Sequence, residues 1–154
     1  MTEATLDRRA ELDRNLALLI YGLLISSVFF AGIPAVIAVV IAYAQRGEAS
    51  AAVRSHHDFQ IRIFWVAFAF SMIAAACVIG AIVVGIGDLL DVGLSGGWGA
   101  VSVDWSNVRI NGVVVALAAG ALLSSVLGGV WLLAAPAFGF IRLASERSIG
   151  NTAA

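Results

Sequence analysis

The chain has 154 residues, 61% of them hydrophobic and only 12% charged, with a mean hydropathy of +0.99 and a formal net charge of -1. A soluble domain carries about 25% charged residues, and three stretches here, 15–45, 63–87 and 110–141, contain no Asp, Glu, Lys or Arg at all. Each is longer than the ~20 residues that cross a ~30 Å hydrocarbon core, which excludes an ordinary soluble domain and predicts an all-α integral membrane protein, one domain over 1–154.

Residues 1–14, "MTEATLDRRAELDR", interleave acidic side chains with Arg8, Arg9 and Arg14. That is unlike a cleaved signal and reads as a charged helix end. Every cation in the chain is an arginine. Arg46, Arg54 and Arg62 lie between the first and second apolar stretches, and Arg142 and Arg147 follow the third. The segment between the second and third holds Asp88, Asp91 and Asp104 against a single Arg109. Arginine-bearing flanks stay in the cytoplasm. Both termini (1–14 and 142–154) and the 46–62 loop are therefore expected inside, and 88–111 outside.

The first stretch, 15–45, must then return to the side it started from. It contains "FFAGIPAV", with Gly32 and Pro34 near its middle, and proline breaks or kinks a helix. Two short helices over 16–30 and 33–43 would form a hairpin whose arms reach ~22 and ~17 Å at 1.5 Å per residue. The alternative is one long kinked helix with the N-terminus outside. Three arginines close to the N-terminal end favour the hairpin.

The second span is approached through "RSHHDFQIRIFW", residues 54–65. Ser55 and Asp58 approximate a capping box, which would start a helix at His56. Arg54, His56 and Gln60 would gather with free N–H groups at a positive helix end, a natural anion site, and Arg62 would join them. Arginine grips phosphate with two parallel hydrogen bonds. The expected partner of Arg54, His56, Gln60 and Arg62 is thus an anionic phospholipid headgroup or an acidic protein segment; the alternative is a structural helix start. A metal fits poorly, because neighbouring histidines project about 100° apart on a helix and no further ligand stands at metal spacing. Haem held by one histidine from each of two subunits stays as an alternative.

Residues 63–87 form one transmembrane helix, and Cys77 inside it is read as packing. From 88 to 111 the pattern changes: Val101, Val103 and Trp105 alternate with Ser102, Asp104 and Ser106. This strand-like period predicts a short extended outer loop. In the third stretch Pro136 divides a span over 112–135 from a segment along the cytoplasmic interface. Gly112, Ala116, Gly120, Ser124 and Gly128 recur every fourth residue, as do Ala67, Ser71 and Ala75. Small residues at that spacing let membrane helices approach closely, either within the chain or along a homo-oligomer seam.

No catalytic motif appears. None of the acidic residues lies inside the three apolar stretches, where an ion-coupled carrier would need one.

Three segments, "AVIAVVIAYAQRGEA", "SHHDFQIRIFW" and "FGFIRLASERSIG", resemble a family of small bacterial membrane proteins of unknown function. That family is distantly related to the membrane subunit of the chloroplast inner-envelope (Tic) translocon. His56, Ile61, Arg62, Phe64 and Trp65 match its pattern. Ile63 replaces the usual threonine, and "SERSIG" departs from the usual ending. The resemblance covers most of 15–87 and the C-terminal end, and implies four helical passes with both termini cytoplasmic. Taken together, the expectation is a non-enzymatic bacterial inner-membrane protein. It would act as an assembly, interaction or accessory subunit in the lipid bilayer, with a protein partner or a second copy, no cofactor and no nucleic acid. An oligomeric channel or a lipid- or haem-handling protein is the alternative.

Overall fold

A computed structural model describes residues 3–47, 49, 51–96 and 111–145. These residues are all-helical, with no strand: α1 (Glu3–Ser26), α2 (Ile33–Gln45), α3 (Ala51–Gly96) and α4 (Gly112–Ala144). They fall into two compact units. One takes the chain up to Phe68 together with everything from Gly128 onward; the other takes Ala69–Leu127.

In the first unit α1 and α2 form a hairpin, not one kinked helix. At the end of α1 the hydroxyls of Ser26 and Ser27 donate back to the carbonyls of Leu23 and Leu24, a local bond that competes with helix continuation. Ala31 (φ 50) and Gly32 (φ 81) then adopt the left-handed conformation. The Gly32 N–H donates to the Ser27 carbonyl at 2.9 Å, as left-handed residues do when they close a helix. Pro34 stands in the first turn of α2, where its missing N–H is no loss. Ala17, Ile20 and Leu24 of α1 share one buried cluster with Ala35, Ala38 and Ala42 of α2. The alanines let the two helices lie close.

α3 starts earlier and ends later than expected. It begins at Ala51, so Ser55 is interior and not its N-cap, and the expected 46–62 loop shrinks to the short link from Arg46 to residue 50. Alanine is the strongest helix former, and Asp58 is held by an ion pair with Arg46. At the other end the helix runs through 88–96, which had been expected in the outer loop. The predicted extended segment, 97–110, lies outside the described residues.

α4 is unbroken through Pro136, which is fully buried inside the helix. The expected division at that proline is therefore absent. Asn111 caps the helix, its Oδ1 accepting from the Val113 N–H at 2.9 Å.

The small-residue stripes prove only partly inward. Ala67, Ser124 and Gly128 are buried and Ala75 and Gly120 half-buried, but Ser71, Gly112 and Ala116 are exposed. The reason is rotational. Four residues advance a 3.6-residue helix by about 40° beyond a full turn, so the positions from 112 to 128 swing through about 160° and cannot share one face. The inward face of α4 in the second unit runs instead through Leu117, Ala121 and Ser124, near the 3.5-residue repeat of packed helices. There a Cβ on Gly120 would stand 3.3 Å from Cys77 Sγ, and one on Gly80 3.3 Å from Leu117.

Two helices, Val53–Asp88 and Gly112–Ala144, are long and apolar enough to cross a membrane. Only 6% and 11% of their most apolar windows are buried within the protein, unlike the core helix of a soluble domain, which hides its apolar surface.

α1 meets α4 at one very close contact: a Cβ on Gly139 would fall 2.5 Å from Cε1, Cζ and the hydroxyl of Tyr21. Gly139→Ala is expected to destabilise the protein by about 1–3 kcal/mol, the usual range for overpacking. Combining it with Tyr21→Ala should cost less than the sum of the two single changes, because the clash is gone. Thermal unfolding of the four proteins in detergent measures both effects; a Gly139→Ala variant as stable as wild type would contradict the contact.

Candidate functional site

The two faces of α3 part company within the stretch 54–65. Val53, His56, His57, Gln60, Ile63 and Ala67 are buried, at spacings of three and four, while Arg54, Asp58, Arg62 and Trp65 are exposed. Alternating steps of three and four hold one face of a helix toward a neighbour. The four residues expected to form one collar are therefore divided. Arg54 and Arg62 lie on the outer face. His56 and Gln60, each 1% exposed, are closed off from a headgroup by the helices packed over them.

What those buried groups do is bind one another. The Gln60 Nε2 donates to the Ala17 carbonyl of α1 at 2.9 Å. A carbonyl only accepts, so the Gln60 Oε1 must be the atom facing His57. That oxygen accepts in turn from His57 Nδ1 at 2.9 Å, and the bond fixes the proton of His57 on Nδ1. Beside them the Tyr21 hydroxyl and His56 Nδ1 are hydrogen-bonded at 3.0 Å, with the two rings edge to face, 6.0 Å between centroids. Trp131 of α4 closes the row, its Nε1–H donating to the Ile63 carbonyl at 3.2 Å. The Gln60, Tyr21 and Trp131 contacts tie α3 to α1 or α4, and the His57–Gln60 bond orients the amide within α3.

Tyr21, Ala17 and Gly139 were not singled out from the sequence. A weak signal existed: Tyr21 is the only polar aromatic in the first half of 15–45, and Gly139 lies between two phenylalanines.

The outer face of α3 carries a different chemistry. Arg46 and Asp58 pair across the link between α2 and α3; both are about half exposed, and such pairs contribute only about 0.2–1 kcal/mol. The Trp65 Nε1–H donates to the Tyr43 hydroxyl at 3.1 Å, and Phe64, Trp65 and Phe68 pack as an aromatic cluster. Aromatic rings with a polar edge gather where membrane meets water. Midway along α1, Arg14 donates to the last helical carbonyl of α4, that of Ala144, at 3.3 Å, and Arg142 lies over the Phe138 ring at 5.5 Å.

The arrangement joins helices. Among the described residues no group of three or more His, Cys, Asp and Glu side chains is placed to hold a metal ion. Haem ligation by His56 or His57 would require the seam to open, because each histidine is only 1% exposed. No family model matches the chain, nor does any curated protein or solved structure.

Inward and outward residues of this stretch should separate in a stability measurement. Gln60→Leu leaves the His57 N–H buried without its acceptor and is expected to cost about 1–3 kcal/mol. Arg62→Ala, on the exposed face, should change stability by no more than about 0.5 kcal/mol. Thermal unfolding in detergent ranks them, and the reverse order would return Arg62 to the packed interior.

Proposed function

We propose that the chain is a non-enzymatic, polytopic protein of the bacterial inner membrane that serves as an assembly or accessory subunit, with its termini on the cytoplasmic side. One observation carries the reading: the buried polar side chains His56, His57 and Gln60 are spent on joining α3 to itself and to α1, while the long faces of α3 and α4 are apolar and uncovered. Such a chain presents a surface for lipid and neighbouring helices. The arginine distribution supports the orientation, and the resemblance to small membrane proteins related to a translocon subunit supports the class.

On this reading Arg54 and Arg62, exposed on one side of α3 beside Trp65, hold anionic headgroups of the cytoplasmic leaflet. A cation near such a surface contributes about 1 kcal/mol, so Arg54→Ala and Arg62→Ala should each lower retention of phosphatidylglycerol or cardiolipin about fivefold. Native mass spectrometry from mild detergent measures this, and equal retention by wild type and both variants would refute the role. Affinity purification in the same detergent tests the subunit reading. A stoichiometric protein partner supports it, whereas a haem Soret band or ion conductance in planar bilayers would replace it with the ligand-handling or channel alternative.

A further inference from the structure

The α1–α2 hairpin has three properties that belong together. First, its apolar arms are short. The 13 residues of α2 rise about 20 Å, and the apolar part of α1 from Leu16 to Ser26 about 16 Å, against the ~30 Å of a hydrocarbon core. Second, the helices of the hairpin group only with the start of α3, up to Phe68, and the end of α4, from Gly128; the unit made of Ala69–Leu127 contains no residue of either. Third, the turn itself is apolar and uncovered, with Phe29, Phe30 and Ile33 exposed by 77%, 64% and 66%.

A turn placed in water can leave some of its peptide groups to solvent. This one satisfies most of its N–H groups internally. The N–H groups of Ser27, Val28, Phe29, Gly32 and Ile33 all donate to carbonyls within the turn or the end of α1, and both serine hydroxyls do the same. Internal satisfaction of the backbone is what hydrocarbon demands. Exposed phenylalanine at the tip is what water disfavours.

We infer that α1 and α2 form a re-entrant hairpin. It enters the bilayer from the side that carries Arg46 and Asp58, turns at residues 27–32 among the acyl chains, and returns without crossing. The occupant of the exposed tip is lipid acyl chain. The inference rests on the membrane reading above, and it changes the topology to two crossings, by α3 and α4, with 15–45 crossing neither once nor twice.

Single cysteines in a Cys77→Ser background test it. Gly47→Cys and Gly112→Cys sit at exposed positions, and Phe30→Cys reports the tip. In cells, a membrane-impermeant maleimide should reach Gly47→Cys and Gly112→Cys from opposite sides. Phe30→Cys should react from neither side, even after permeabilisation, and only once denatured. In vesicles of phosphatidylethanolamine and phosphatidylglycerol, an environment-sensitive fluorophore on Phe30→Cys should be quenched by acyl-chain nitroxide lipids. Reaction of Phe30→Cys together with Gly112→Cys means a hairpin that crosses twice, and overturns the inference. Failure of the lipid quencher means a tip covered by protein, and overturns it too. Release of the unmodified protein from membranes by alkaline carbonate would instead sink the membrane reading itself.

Discussion

The phenol of Tyr21 presses its ring against the backbone of Gly139 while its hydroxyl reaches His56, and three helices meet at that one side chain. Any residue with a Cβ at 139 would push α4 away from α1. Any side chain without a hydroxyl at 21 would leave His56 without this partner. The polar seam depends on the approach, because Ala17, one turn before Tyr21 on α1, supplies the carbonyl that Gln60 binds. Steric fit and hydrogen bonding are here two demands on the same few atoms.

Such a seam has a physical use where helices associate without a hydrophobic driving force. Apolar side chains gain little by leaving lipid for protein, so packing and interhelical hydrogen bonds decide which faces meet, and model studies put such bonds at about 0.6–2 kcal/mol. A chain of apolar residues slides or rotates at small cost. Gln60 does not: when α3 slides or rotates against α1, its amide loses the Ala17 carbonyl. A polar residue at a packed position sets register in this way, and the Trp131–Ile63 bond sets it again for α4.

Much of this was legible along the chain. Composition and charge-free runs announced two helices of spanning length, and Gly32 with Pro34 marked a turn that the backbone does make. Position-specific readings fared less well, each for a physical reason. Pro136 looked like a break, yet a proline shielded by neighbouring helices can remain inside one. The four-residue stripe looked like a face, but its steps rotate around the helix. His56 and Gln60 look like an anion site if the helix starts at His56 behind Ser55; because α3 starts at Ala51, the same residues lie more than a turn deeper and on the inward side. Nothing local to 54–65 reveals that, since the partners Ala17 and Tyr21 are on α1.

The Tyr21 contact also has a bearing on how the molecule is made. Its partners arrive late: His56 follows by 35 residues, and Gly139 by 118. During synthesis the hairpin is complete long before the surfaces that close over it exist. Until α3 emerges the Tyr21 hydroxyl lacks its histidine, and until the last turns of α4 emerge its ring lacks a lid. A nascent chain stopped short of Gly139 would hold its earliest helices without the backbone that packs against the Tyr21 ring.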